Sequence, residues 1–300
     1  MTNNLSKEKC LFIAACTSLA WGATGVFIRF LPALSPFSIA AGRLLFAFLF
    51  LLPTFLFSSR VRHSFIEVIT EPIAYFLALL MIGYYLLATT AFQLSSVAEL
   101  ALLLSITPIY VMMFSFISGK KPCFLEVLGG GVAISGLVIV LQPNAMLMVN
   151  SSNQLFGNIL AMIAAALVGL YSFIYRSLSQ KKSSPDSIGV SALTFFLGSI
   201  VLLIFTLNER DYGNLSSLDG KQILVLVMLG VFSTSFPSIG FAIVSRELPP
   251  LISACVSLMI PLFASAMAFV ILTEVPSLWF IPGGTLVLVG VGIILRYQSS

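Results

Sequence analysis

Ten stretches of about 20 mostly apolar residues make up nearly the whole chain, and only short connecting segments separate them. Inside hydrocarbon no water meets the backbone N–H and C=O groups, so a crossing chain must satisfy them as a helix or a closed barrel. At 1.5 Å of rise per residue, runs of this length suit the helix and a core about 30 Å thick. They fall near 10–29, 36–57, 72–94, 97–117, 123–141, 154–176, 187–207, 222–244, 250–272 and 277–296. With 59% hydrophobic and 9% charged residues, 300 residues cannot clothe a soluble globule in polar surface. The predicted class is an all-α membrane protein of ten transmembrane helices, its first partner the lipid bilayer. Lys7, Lys9 and Ile13-Ala14-Ala15-Cys16 mimic an export signal, but the hydrophobicity runs on to Ile28, which predicts an uncleaved first span.

Cations sort by connecting segment. Lys7, Lys9, Arg60, Arg62, Lys120, Lys121, Arg176, Lys181, Lys182, Arg246 and Arg296 fall on one side, and Arg29, Arg210 and Lys221 on the other. Basic segments resist export, which predicts cytoplasmic N and C termini.

The chain also echoes itself. Ser35-Pro36-Phe37-Ser38-Ile39 returns as Ser184-Pro185-Asp186-Ser187-Ile188, and Pro122, Gly129-Gly130 and Gly136 return as Pro276, Gly283-Gly284 and Gly290. Pro108 is matched by Pro261, and Arg29 by Arg176. This predicts two five-helix units, 1–150 and 151–300. An odd number of crossings per unit makes the second enter from the opposite side, so the repeat is inverted. Inverted halves can exchange conformations around a shared central site, which points to a carrier working by alternating access.

Arg43 lies about 10 Å along its span and Glu99 about 4 to 5 Å along another that starts on the same side. A buried arginine requires a partner. An Arg43–Glu99 ion pair is the first expectation; contact of either with substrate or a coupling proton, or bonding of Arg43 to helix carbonyls, are the others. Trp21, Tyr84, Tyr85, Tyr110, Tyr171 and Tyr175 are candidates for a cavity wall, each alternatively an interfacial anchor or packing residue. Tyr85, Thr89 and Gln93 follow the i, i+4, i+8 spacing of one helix face. Ser233, Ser235, Ser238, Ser253 and Ser257 enrich two later spans and can hold a ligand or bond a helix carbonyl. Pro108 and Pro261 are either tolerated kinks or a pair of bends about which the halves rock. The glycine runs lack the strand context of a phosphate loop and serve close helix packing, for example through Gly131 and Ser135. Cys10, Cys16, Cys123 and Cys255 show no CxxC spacing and read as small packing residues.

Enzyme classes lose their parts. The sole histidine, His63, and the aspartates Asp186, Asp211 and Asp219 fall in connecting segments, so no intramembrane metal set or paired carboxylate is expected. No Walker A pattern is present, no cofactor is expected, and the scattered cations form no nucleic-acid stripe.

Trp21-Gly22, Ala40-Ala41-Gly42-Arg43, Ser105-Ile106-Thr107-Pro108, Thr273-Glu274 and the paired glycines, in this order, resemble the EamA branch of the drug/metabolite transporter superfamily. The resemblance implies ten helices, a bacterial inner membrane, and a cavity lined by helices one, three, four, six, eight and nine. The chain differs in carrying Gly119-Lys120-Lys121-Pro122 where the family commonly has Gly-Glu, and Glu99 where a small apolar residue is usual. The expected function is secondary transport of a small organic metabolite, an amino acid or related amine, with export favoured and a proton or exchanged solute as driver. Its expected state is a monomer or homodimer. The alternative is a membrane-embedded sensor, scaffold or lipid-handling protein without solute flux.

Overall fold

The computed structural model describes residues 7–119, 122–146, 151–180, 185–208, 218–240, 250–276 and 278–298. Lys120, Lys121, Lys181, Lys182, Ser184, Arg210, Asp211 and Arg246 lie outside them. Among the described residues every regular element is helical: α1 (Lys7–Gly22), α2 (Thr24–Arg29), α3 (Pro36–Phe57), α4 (Ser59–Thr70), α5 (Pro72–Leu94), α6 (Val97–Leu104), α7 (Thr107–Ile117), α8 (Phe124–Met146), α9 (Ser151–Gln180), α10 (Ser187–Asn208), α11 (Gly220–Gly230), α12 (Pro250–Leu272) and α13 (Phe280–Gln298). Among the described residues seven stretches are long and apolar enough to cross a membrane, and shorter apolar helices cover Phe124–Val140, Met259–Leu272 and Phe280–Ile294. The chain is a multi-pass all-α membrane protein, with large apolar side chains such as Leu278, Val270 and Ile281 left bare for lipid.

Local chemistry sets the helix ends. Ser35 caps α3, accepting from Ser38 N, and Pro36 opens the helix with its φ already helical. In the echo of this motif Asp186 takes over the cap, accepting from Ile188 and Gly189 N. Ser96 caps α6. The basic segment after α3 is not an open loop: Ser58 caps α4, an amphipathic helix in which His63 meets Glu67 at 3.4 Å. Ser64 there donates to Asp186 at 2.6 Å, holding α4 beneath the start of α10.

The pairing of α8 with α13 has a particular symmetry. A Cβ on Gly136 would sit 2.5 Å from the Gly283 carbonyl oxygen, and one on Gly129 would sit 2.7 Å from that of Gly290. Gly129 and Gly136 are the sequence echoes of Gly283 and Gly290, so each contacts the echo of the other. The contact is self-complementary, and its two helices run antiparallel. α3 and α10 also run antiparallel, with Phe37 meeting Phe205 and Phe48 meeting Phe196 at 5.6 and 5.3 Å. The glycines that pack are therefore 129 and 136. Gly131 has nothing within 4 Å of its would-be Cβ, and Ser135 bonds only the Gly131 carbonyl on an exposed face, so the expected Gly131/Ser135 contact does not form. Cys123 is exposed and Cys16 half-buried rather than core filling, while the side chains of Cys10 and Cys255 lie outside the described residues.

Gly136→Val should force α8 off α13 and cost about 1 to 3 kcal/mol, read as a lower thermal unfolding midpoint in detergent. Gly131→Ala should leave the midpoint unchanged or slightly raised.

Candidate functional site

Beyond α11 the helix widens into a π-helical turn, Val231–Ser235. Pro237 explains it: a proline has no N–H to give and its ring crowds the carbonyl four residues back, here that of Ser233. Thr234 Oγ1 spans the widened turn by donating to the Leu229 carbonyl at 2.8 Å. Three successive buried hydroxyls then address different neighbours. Ser233 donates to the Ala20 carbonyl of α1 at 2.7 Å and Ser235 to the Ala47 carbonyl of α3 at 2.8 Å. Thr234 faces Arg43.

Arg43 is 3% exposed. Its Nε and Nη2 both donate to Thr234 Oγ1, at 3.1 and 3.0 Å, and its guanidinium lies over the Tyr85 ring, 4.8 Å from the centroid. Gly230 permits this approach, since a Cβ there would meet the Arg43 carbonyl oxygen at 2.7 Å. Tyr84 and Phe195 flank Tyr85 at 5.2 and 6.5 Å, and Ser238 interacts with the Tyr85 side chain. Arg43 lies seven residues inside the start of α3 and Tyr85 nine residues from the end of α5, about 10 and 14 Å from the same end of the bundle. A buried cation thus sits at mid-depth, contributed by α3 and stabilised by α5 and the π turn.

The expected Arg43–Glu99 pair is not formed. Glu99 bonds elsewhere in the bundle, accepting from Gln154 Nε2 of α9 at 2.9 Å. Arg43 turns to Thr234 because α3 packs on α11 and the π turn, whereas Glu99 on α6 faces α9. The charge that does pair is Arg29, whose Nη2 meets Glu274 Oε1 at 3.3 Å and the Ser95 carbonyl at 3.1 Å. Glu274 Oε2 in turn accepts from Val97 N at 2.9 Å. This clasp joins the ends of α2 and α5, the start of α6 and the segment after α12. Thr273, beside it, holds φ at 55°, a conformation that costs a β-branched residue strain and aims Glu274 at the clasp.

The other expected site residues scatter. Thr89 donates to its own helix at the Tyr85 carbonyl, and Gln93 to the Leu34 carbonyl, so the line Tyr85, Thr89, Gln93 does not share one role. Tyr171 and Tyr175 stack on each other at 5.8 Å, and Tyr175 donates to the Pro185 carbonyl near the α4 end. Tyr110 packs α7 against Gly169 of α9, and Trp21 is half-buried at the end of α1. The span containing Pro108 breaks between Leu104 and Thr107, whereas α12 runs through Pro261 unbroken. The side chains of Ser253 and Ser257 lie outside the described residues. Thr234 was missed because serines drew attention to its span; the nearby Pro237 is the signal that marks the turn presenting it.

Among the described residues, apolar spans surround this buried polar cluster, an arrangement found in a membrane protein. The EamA-like transporter family model matches residues 8–142 and again 155–296, and the chain belongs to that family. It is similar to uncharacterized transporters of Archaeoglobus fulgidus, 22% identical over 98% of this chain and 99% of the relative, and 27% identical over 93% and 94%. A transporter of the same description from Clostridium kluyveri is 26% identical over 67% of this chain and 63% of its own. A solved crystal structure shares the fold with a TM-score of 0.64 at 17% identity, covering 98% of this chain and 100% of that one.

Thr234→Val, nearly isosteric, should lower stability by about 1.5 to 3 kcal/mol by stripping a buried cation of its acceptor, measured by thermal unfolding. Glu274→Ala should speed amide exchange at Val97 roughly fivefold, the effect of losing a cap worth about 1 kcal/mol.

Proposed function

We propose that this transporter is a secondary-active carrier that moves a small organic metabolite, an amino acid or related amine, by alternating access between two inverted five-helix halves, 1–150 and 151–300. The observation that carries the reading is where the Arg43 cluster lies. Arg43 and Tyr85 come from the first half, Thr234 and Ser238 from the second, and they meet at mid-depth. A ligand there would touch both moving bodies, which is what coupling of binding to rocking requires. The self-complementary contact of α8 with α13 and the antiparallel packing of α3 on α10 support inversion, since equivalent helices of inverted units run in opposite directions. A family model that matches each half separately supports the repeat.

In this reading ten helices span a bacterial inner membrane with both termini cytoplasmic, and the Arg29–Glu274 clasp closes the outer end. The ligand then reaches Arg43 from the cytoplasmic side, in keeping with export. Pro108 supplies the hinge of the first half through the break it opens, and Glu99 carries a coupling proton.

Purified protein in liposomes should move a hit from a metabolite panel and return it chemically unchanged; a changed product would identify an enzyme instead. Under an imposed pH gradient Glu99→Gln should keep flux while losing its dependence on the gradient, and retained dependence would remove Glu99 from coupling. Cysteine labels at Gly119 and Val275 should react from opposite faces of the membrane, whereas labelling from one face would refute the inverted arrangement.

A further inference from the structure

We infer that the Arg43 cluster is a carboxylate site: the solute this protein carries bears a carboxylate that docks on the free edge of the Arg43 guanidinium, between Tyr85 and Thr234. The inference rests on the carrier reading of the same site and specifies its ligand.

A guanidinium has five N–H donors and no acceptor. Nε and Nη2 each give one to the single oxygen of Thr234. The second hydrogen of Nη2 and both of Nη1 have no acceptor among the described residues. Arg43 is only 3% exposed, so little solvent reaches those donors. Each unmet donor in such a place costs about 1 to 3 kcal/mol. Removing the cation itself from water costs several more. Against this stand one charge-assisted oxygen, worth about 1.5 to 3 kcal/mol, and a cation–π contact worth about 2. Both partners are neutral. Ion pairs among the described residues join Arg29 with Glu274 and His63 with Glu67, and neither reaches this cluster.

The shape of the free guanidinium edge names the ligand. The free Nη1/Nη2 edge is a planar fork, which two carboxylate oxygens fill with parallel hydrogen bonds. A dianion such as phosphate would bring a second charge with no second cation in the cluster to meet it. An amine without a carboxylate would set a cation against Arg43. Tyr84, Tyr85 and Phe195 offer aromatic surface for an apolar remainder.

The test needs no variant. Full-length protein in nanodiscs is titrated with leucine, phenylalanine, propionate, 4-methyl-2-oxopentanoate and phenylpyruvate, and in parallel with leucinamide and phenylalaninamide, with binding read by calorimetry. At least one carboxylate should bind, and its carboxamide at least about tenfold more weakly, because a site built to hydrogen-bond a group rejects the analogue lacking it. Equal binding of acid and amide, or binding of no carboxylate at all, overturns the inference. Arg43→Gln should abolish acid binding, while Arg43→Lys, which keeps charge but loses the fork, should weaken it. Flux in liposomes separates the two readings. A carboxylate that binds at Arg43 without crossing the membrane would sink the carrier and leave the site, whereas amides transported as well as acids would sink the site and leave the carrier.

Discussion

In hydrocarbon a polar group has only the protein to bond with, and this constraint organises the whole molecule. The backbone meets it by becoming helical. Side chains meet it in two ways: most hydroxyls fold back on their own helix, as Thr89, Thr90, Thr194 and Thr206 do on carbonyls four residues earlier. The few that reach another helix do so where the backbone has been loosened, chiefly at the π turn. Ser233, Thr234 and Ser235 therefore tie α11 to α1 and α3 and also position the cation.

Apolar side chains gain little by leaving lipid for one another, so helices approach where small residues let backbones touch. The glycines of α8 and α13 do this by direct backbone approach, which makes their contact a passive staple. The contacts around Arg43 are different in kind. They cross from one half to the other, they combine charge, hydroxyl and ring, and they leave donors unspent. At one end of the bundle the Arg29–Glu274 clasp gathers three helix ends and the segment after α12, with Thr273 held in strain beside it.

The helical class, the run limits near 36–57, 72–94 and 187–207, and the echo of motifs were legible because length, hydropathy and glycine spacing are local properties of the chain. Arg43 stood out for the same reason, as a charge within an apolar run. Its partner did not. The choice between Glu99 and Thr234 depends on which face α3 turns to α11, and similar depth along two spans does not specify azimuth. The amphipathic α4 is hidden in the sequence by its basic residues, which mark a connecting segment; the structure shows Ser58 capping its start and Ser64, at its middle, bonding Asp186.

The amino-acid sequence by itself determined that this protein lives in a membrane and folds as helices, because hydrocarbon leaves long apolar runs of this kind no other way to satisfy their backbone, and it carries the echo of the glycine motifs in plain view. The tertiary structure alone decided which polar groups meet. Rotation and tilt of packed helices are set by contacts distributed over the entire bundle, and a shift of one residue around a helix, about 100°, moves a side chain from one neighbour to the next.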